Sequence, residues 1–174
     1  LGMGGSSLAP EMFRHIFGVK EKYLDLSVLD SSDPGAVLDH ARRIDPAKAL
    51  FIVSTKSGGT VETISFMKYF YNRTAEAVGR DKVGRHFIAI TDPGSGLEKT
   101  AKELKFRRVF LNDPNIGGRY SALSYFGLVP AGLTGMDIAT LLERACTMVC
   151  NCDGCNCPVA GDNSAAWLGT IMGK

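Results

Sequence analysis

The sequence carries little net charge and no long uninterrupted apolar run. Its 20 basic and 18 acidic residues leave a net charge of +2, and the two signs are interspersed along the chain. Because no basic cluster stands out, no nucleic-acid partner is expected. The uncharged run over 120–136 is interrupted by Gly127, Pro130 and Gly132, and it is shorter than the about 20 apolar residues that span a bilayer. We therefore predict a buried helix there and no membrane partner.

The sequence also lacks an initiating methionine and a recognisable signal peptide, and we expect a cytoplasmic location. It opens on Leu-Gly-Met-Gly-Gly and ends on the apolar run AAWLGTIMGK, which is typical of a helix that has just begun. A chain of 174 residues is long enough for one domain with a substantial core. We interpret residues 1–174 as a single domain cut from a longer chain, with residues from about 158 to 174 starting the connection to a second domain.

Short runs rich in β-branched and aromatic residues alternate with helical patterns. The predicted strands are residues 23–30, 49–55, 86–91 and 108–112. The predicted helices are residues 7–17, 34–44, 60–79 and 97–104, and Asp33 and Thr60 are placed to cap two of them. Strands that alternate with helices imply right-handed crossovers and a parallel sheet. We predict an α/β fold in which a doubly wound parallel sheet has helices on both faces.

Small and hydroxyl-bearing residues are concentrated where two loops lead into predicted helices. These loops are GMGGSS at 2–7 and STKSGGT at 54–60. Doubly wound sheets bind their ligands at such loops, and helix N-termini attract anions through free N–H groups and a partial positive charge. Glycines let the backbone approach a ligand, hydroxyls donate hydrogen bonds, and Lys56 adds a full positive charge. The two loops together predict a phosphate site.

Other interpretations of these loops fit the sequence less well. Ordinary Gly/Ser turns explain either loop alone, but two such loops at equivalent positions favour an anion site. Neither loop matches G-x-x-x-x-G-K-[ST], which disfavours a nucleotide triphosphatase. GMGGSS lacks the third glycine of the dinucleotide-binding motif, so a dinucleotide site is a poorer fit. Hydroxyl-rich loops suit a terminal phosphate monoester, such as that of a sugar phosphate.

A third loop supplies an arginine. The segment IGGRYSALS, residues 116–124, follows the last predicted strand and places Arg119 between two glycines and a helix start. There the guanidinium group can direct its fixed set of donors at an oxyanion. The alternative is a surface arginine that lies along a helix end.

Three segments carry a family resemblance. GMGGSSLAP, TKSGGTVET and GGRYSALSYFGLVPAGL resemble, in order and spacing, the signature segments of the first sugar-isomerase (SIS) domain of glucose-6-phosphate isomerases. The resemblance covers essentially the whole chain, and it is greatest to the bacterial form that is fused behind a transaldolase. It implies a SIS-type three-layer sandwich and a set of residues around the substrate phosphate: Gly5, Ser6, Thr55, Lys56, Ser57 and Thr60.

The resemblance also implies two catalytic residues. Arg119 would lie beside the sugar C1–C2 and stabilise the enediolate, and Glu62 would support the histidine that opens the pyranose ring. Many relatives have serine at the position of Thr55, which preserves the hydroxyl. Many have threonine where Gly59 stands, so one side-chain donor is missing here.

The implied reaction is the interconversion of glucose 6-phosphate and fructose 6-phosphate. After ring opening, a carboxylate carries a proton between C2 and C1 while a guanidinium stabilises the developing oxyanion. No metal or organic cofactor is implied. In the family the base glutamate and the ring-opening histidine come from the second SIS domain, the histidine from a neighbouring subunit. The resemblance therefore implies a second SIS domain in the same chain and a homodimer when the chain is full length.

Nothing in this sequence matches the segments that carry those two groups. His15, His40 and His86 fall away from the three loops, and we expect each of them to be an ordinary surface or core histidine. These 174 residues alone are therefore expected to bind substrate without turning it over.

All five cysteines lie within the segment CTMVCNCDGCNC, residues 146–157. C-x-C and C-x-x-C spacings can bring thiolates together on zinc or an iron–sulfur cluster. The candidate ligands are Cys150, Cys152, Cys155 and Cys157. A disulfide within the segment is a further alternative. Because four-thiolate sites usually pair two separated knuckles, we favour reduced, unpaired thiols at a helix end and loop, with no metal.

A function of another class is also compatible with the loops. Lone SIS domains occur in transcriptional regulators, where they sense sugar phosphates. Such a module would keep the phosphate loops but would have no reason to keep Arg119 or Glu62. Both residues are present, which favours the enzyme.

Overall fold

The structure, a computed structural model, describes residues 1–153 and 163–173. Contacts group the chain into two compact units, Leu1–Met136 and Asp137–Lys174. The strands are β1 (Phe51–Ser54), β2 (Phe87–Thr91) and β3 (Arg108–Leu111). The α-helices of the first unit are α1 (Gly5–Phe17), α2 (Pro34–Arg43), α3 (Val61–Val78), α4 (Gly96–Glu103) and α5 (Tyr125–Leu133). Those of the second unit are α6 (Ile138–Cys152) and α7 (Ser164–Met172).

The three strands form one parallel sheet in the order β1-β2-β3. Residue Phe51 pairs with Phe87, and Ile88 pairs with Arg108. All five residues of β2 are buried, so both faces of the central strand are covered. Helix α3 connects β1 to β2 and α4 connects β2 to β3, so a helix crosses over between each pair of parallel strands.

The prediction of a strand at 23–30 is wrong. In the structure, Leu1 and Gly2 lie beside β1 instead: the Leu1 amino group donates to Ile52 O at 2.8 Å, and Ser54 N donates to Leu1 O at 2.8 Å. From the predicted strand, Leu29 O accepts a single bond from Gly2 N at 3.2 Å. Residues 23–30 have the composition of a strand but form no series of backbone hydrogen bonds with a neighbouring strand, and the segment is irregular.

The direction of winding reverses between Gly2 and β1. Gly2 forms a parallel bridge with Ser54, so the order in space is Leu29, Gly2, β1, β2, β3. From Gly2 the chain passes through α1 towards Leu29, whereas from β1 it passes through α3 towards β2. This arrangement confirms the doubly wound α/β fold, with its switch point between Gly2 and β1. Such a reversal opens a crevice at the carboxyl ends of the strands, where ligands of this fold class bind.

An aromatic core holds β1 and β2 against α3. Phe87 stacks on Phe51 with ring centroids 4.9 Å apart, and Phe51 stacks on Phe70 of α3 at 5.1 Å. Phe106 closes the group at 5.2 Å from Phe87. Each of these side chains is at least nine-tenths buried, and burying one such ring stabilises the fold by about 1.5–3 kcal/mol. The core therefore anchors the amino ends of β1 and β2 against α3.

The predicted helices are confirmed to within one or two residues at each end. The Asp33 side chain accepts a hydrogen bond from Ala36 N at 2.8 Å, with Pro34 as the first helical residue of α2. The uncharged run contains α5, whose buried residues include Phe126 and Pro130, as expected of a buried helix. Over residues 1–153 and 163–173, no helix is both long and apolar enough to cross a membrane.

The second unit holds the cysteine segment. Cys146 and Cys150 are exposed on α6, and Cys152 is half-buried at its end. The candidate ligands Cys155 and Cys157 lie outside the described residues. Within the described part of the chain, no group of three or more histidine, cysteine or acidic side chains is placed to hold a metal ion.

Candidate functional site

Three loops reach the carboxyl-end side of the sheet. Loop 1 (residues 2–7) leads into α1, loop 2 (residues 54–60) connects β1 to α3, and loop 3 (residues 112–124) connects β3 to α5. Loops 1 and 2 are joined where Gly2 bridges Ser54. A Cβ atom on Gly2 would lie 3.1 Å from Ser54 O, so a small residue lets the two loops approach. The switch point therefore brings together the two loops that the sequence predicts to bind phosphate.

Loop 3 joins loop 1 through a contact between two glycines. A Cβ atom on Gly5 would lie 2.3 Å from Gly118 O, which leaves no room for a side chain at this position. The Ser121 hydroxyl donates to Gly118 O at 2.6 Å and lies 3.3 Å from Gly5 O. This contact holds the short 3-10 turn that carries Arg119 against the N-terminus of α1.

The two helices that begin at the switch point have no side-chain cap. Helix α1 begins after Gly4 and α3 begins after Thr60, and neither residue offers a side-chain acceptor to the first turn. At α1, the backbone N–H groups of Ser6 and Ser7 donate to backbone oxygens of the preceding turn, at 3.4 and 3.0 Å. The other α-helices of the described ranges are all capped by a side chain, from Asp33, Ser95, Ser124, Asp137 and Asn163. Uncapped first-turn N–H groups and the positive end of the helix dipole bind anions. The chain thus leaves backbone donors open at the start of α3 and, through Gly5 N, at the start of α1.

The structure contradicts the prediction that Thr60 caps α3. Its hydroxyl lies 2.8 Å from the Thr55 hydroxyl instead, and this pairing turns the oxygen away from the first turn of the helix. The Ser57 hydroxyl accepts a hydrogen bond from Gly59 N at 3.2 Å. Ser6, on loop 1, is buried. Three hydroxyl groups of loop 2 are therefore arranged around the start of α3.

Sequence reasoning missed Thr63, which follows Thr60 by almost one helical turn. Thr63 is fully buried, and its Oγ1 atom has no hydrogen-bond partner among the described residues. A buried polar group without a partner costs about 1–3 kcal/mol, and such groups in native proteins call for an explanation such as a bound ligand or water. The signal was available in T-V-E-T, because residues three apart share one face of a helix.

Lys56 points to the neighbouring loops. Its ammonium group forms an ion pair with the Asp92 carboxylate and donates to Pro114 O at 2.7 Å. Glu62 lies half-buried in the first turn of α3, and Arg119 is exposed on loop 3. Neither Glu62 nor Arg119 forms an ion pair within the described ranges. The sequence-predicted residues are thus all carried by the three loops or the first turns that follow them.

The three histidines contact other parts of the first unit, as expected. His15 pairs with Glu11 on α1, and both ring nitrogens of His40 contact backbone carbonyls. His86 Nδ1 lies 3.0 Å from Ala49 O, at the amino end of the sheet. None of the three lies on loops 1, 2 or 3.

Comparison with known proteins gives a consistent result. The family model for phosphoglucose isomerase matches residues 1–152. A glucose-6-phosphate isomerase of Carboxydothermus hydrogenoformans is 37% identical over 164 residues, covering 88% of this chain and 35% of that protein. One from Thermus thermophilus is 34% identical over 145 residues, covering 83% of this chain and 34% of that protein.

Solved structures are similar over the same extent. The hypothetical protein TT0462 from Thermus thermophilus matches with a TM-score of 0.78 and 33% identity, over 84% of this chain and 35% of that one. A glucose-6-phosphate isomerase from Chlamydia trachomatis matches with a TM-score of 0.75 and 27% identity, over 86% of this chain and 29% of that one. The chain spans about a third of the length of these relatives.

Proposed function

This chain belongs to the phosphoglucose isomerase family, and on that basis we propose that it is the sugar-phosphate-binding part of a glucose-6-phosphate isomerase. The whole enzyme interconverts glucose 6-phosphate and fructose 6-phosphate by ring opening and proton transfer through an enediolate. It acts in the cytoplasm as a homodimer, and a second SIS domain of the same chain completes each active site. The relatives named glucose-6-phosphate isomerase support the reaction.

The observation that carries this proposal is the pair of uncapped helix N-termini at the switch point. Both α1 and α3 leave their first-turn N–H groups without a side-chain acceptor. Hydroxyl groups of Ser57, Thr60 and Thr63 lie on loop 2 and the turn that follows it, and the last of these is buried without a partner. A phosphate monoester supplies the oxygen acceptors and the negative charge that such a set of donors lacks.

Binding the phosphate at a distance from the reacting carbons serves the chemistry. The energy of that contact orients C1 and C2 for proton transfer. Arg119 stabilises the oxyanion, because a fixed guanidinium aimed at developing charge favours the transition state. Glu62 supports the ring-opening histidine, which the second SIS domain of a neighbouring subunit supplies. No cofactor takes part, and the 174 residues alone bind substrate without turnover because the base lies on the second domain.

Calorimetric titration with 6-phosphogluconate tests the phosphate site. Replacing Ser57 and Thr60 together by alanine removes two donors to a charged group, each worth about 1.5–3 kcal/mol, so we expect affinity to fall at least tenfold. Ser65→Ala is the matched control, because this hydroxyl lies on α3 and donates to Val61 O within the helix. Gluconate, which lacks the phosphate, is expected not to bind. Equal affinity of the wild-type and doubly substituted proteins would exclude phosphate binding by loop 2.

A further inference from the structure

The Lys56 side chain connects the loops that follow all three strands of the sheet. It belongs to the loop after β1, and its ammonium group contacts Asp92 after β2 and Pro114 O after β3. The backbone of the same residue is also held, because Asp92 N donates to Lys56 O at 3.2 Å. Both ends of Lys56 are therefore attached to the neighbouring strand ends before any anion is bound.

The ion pair is partly shielded from water. The Asp92 side chain exposes 16% of its surface and that of Lys56 exposes 35%. Shielding strengthens the attraction between opposite charges, and hydrogen bonds between charged groups are about twice as strong as neutral ones. Asp92 Oδ1 is buried without a partner in the described part of the chain. The negative charge of Asp92 is thus balanced by Lys56 alone among the described residues.

We propose that Asp92 is a positioning residue that holds Lys56 as a bridge between the three strand ends and competes with a bound phosphate for its ammonium group. This inference rests on the proposed phosphate site at the start of α3. In the anion-free protein the Lys56 ammonium group is paired with Asp92. A bound phosphate must therefore share the ammonium group with Asp92 or displace Asp92 from it. Asp92 therefore holds the three loops in place through Lys56. It also lowers the affinity of the protein for the phosphate group, which favours the release of product.

A double-mutant cycle separates this competition from a simple effect of charge. Asp92→Asn is expected to bind inorganic phosphate roughly fivefold more tightly than wild type, from the loss of one partly exposed ion pair. Removing a negative charge alone would give the same gain with or without Lys56. We expect the gain from Asp92→Asn to be at least about threefold larger with Lys56 present than in a Lys56→Met background.

Asp113→Asn is the matched control for charge. Asp113 follows β3, is exposed, and accepts hydrogen bonds from Asn115 rather than from a lysine. It is expected to change phosphate affinity less than Asp92→Asn does. Weaker phosphate binding by Asp92→Asn would show that Asp92 directs Lys56 onto the anion. An equal gain in phosphate affinity with Lys56 and with Lys56→Met would show that Asp92 acts only through its negative charge. Either result overturns the competition.

Acetylation of lysines in the absence of phosphate tests the restraint separately from the proposed function. By mass spectrometry, Lys56 is expected to react several-fold faster in Asp92→Asn than in wild type. Lys102, which pairs with Glu98 on α4, serves as the internal reference and keeps its rate. If Lys56 is acetylated at an unchanged rate in a protein that binds phosphate, the proposal that Asp92 restrains Lys56 is overturned and the proposed phosphate site is not. Faster labelling in a protein that binds no phosphate supports the restraint but overturns both the proposed site and the competition.

Discussion

Gly5 and Gly118 touch through their backbones, and a single methyl group tests whether that contact holds loops 1 and 3 together. Because a Cβ atom on Gly5 would lie 2.3 Å from Gly118 O, we expect Gly5→Ala to lower the free energy of unfolding by about 1–3 kcal/mol. A Cβ atom on Gly118 would lie 3.7 Å from Gly5 Cα, which is an ordinary contact. Gly118→Ala is therefore expected to change the free energy of unfolding by less than about 0.5 kcal/mol. Urea denaturation measures both, and equal losses would contradict the assigned contact.

The unpartnered hydroxyl of Thr63 predicts effects of opposite sign on stability and binding. Thr63→Val keeps the shape of the side chain and removes a buried polar atom that lacks a partner. The anion-free protein is therefore expected to keep its stability or gain up to about 1 kcal/mol, while affinity for 6-phosphogluconate falls about tenfold. Thr74→Val is the control, since that buried hydroxyl donates to Phe70 O at 2.7 Å. A loss of stability with unchanged affinity would make Thr63 purely structural.

Residue types in the site were predictable from the sequence, but their partners were not. Glycines and hydroxyls at 54–60, together with those at 2–7, favour an anion site over ordinary turns because both loops lead into helix starts. The pairing of Lys56 with Asp92 joins residues 36 positions apart, and it depends on which strands become neighbours. The Thr63 hydroxyl lacks a hydrogen-bond partner among the described residues because it is buried in the folded chain. Local sequence patterns do not reveal that burial.

We expect stability and anion binding to compete in helix α3. Thr60 has the extended backbone of an N-cap residue but gives no side-chain cap. Thr60→Asp is expected to cap α3 and complement its dipole, raising the free energy of unfolding by about 0.5–1 kcal/mol. The same carboxylate would occupy the place of the anion, so binding of 6-phosphogluconate should be lost.

The capped helix α2 provides the comparison. Asp33→Ala removes an existing cap and is expected to lower stability by about 1 kcal/mol while leaving anion affinity unchanged. Chemical denaturation and calorimetry on the same samples measure both quantities. Thr60→Asp protein that still binds 6-phosphogluconate normally would remove the N-terminus of α3 from the site.

Helices were predicted more accurately than strands for a physical reason. Caps, apolar periodicity and breaking residues are local signals, and they placed α2, α3 and α4 to within one or two residues. A strand needs a neighbour with free backbone groups. Residues 23–30 have the composition of a strand, yet only Leu29 joins the backbone of the sheet extension at Gly2. Strand pairing depends on the whole fold, so the composition of residues 23–30 alone does not predict it.

At the scale of the whole molecule, the fold explains why loops far apart in sequence lie close enough to form one candidate site. The reversal of winding between Gly2 and β1 brings loop 1 against loop 2, and the Gly5–Gly118 contact adds loop 3. Alternation of strands and helices predicted this class of fold, and the switch point follows from it. The order of the sheet could not be predicted, because Gly2 was assigned to a loop and not to the edge of a sheet.

Backbone NMR spectra recorded during titration with inorganic phosphate test most directly whether the anion binds between α1 and α3. We expect the amide signals of Gly5, Ser6, Val61 and Glu62 to shift with one common dissociation constant, because these amides lie at the two uncapped helix starts. The amides that open the capped helix α2 should stay in place. Shifts confined to α2, or no saturable shift at α1 and α3, would contradict a phosphate site at the switch point.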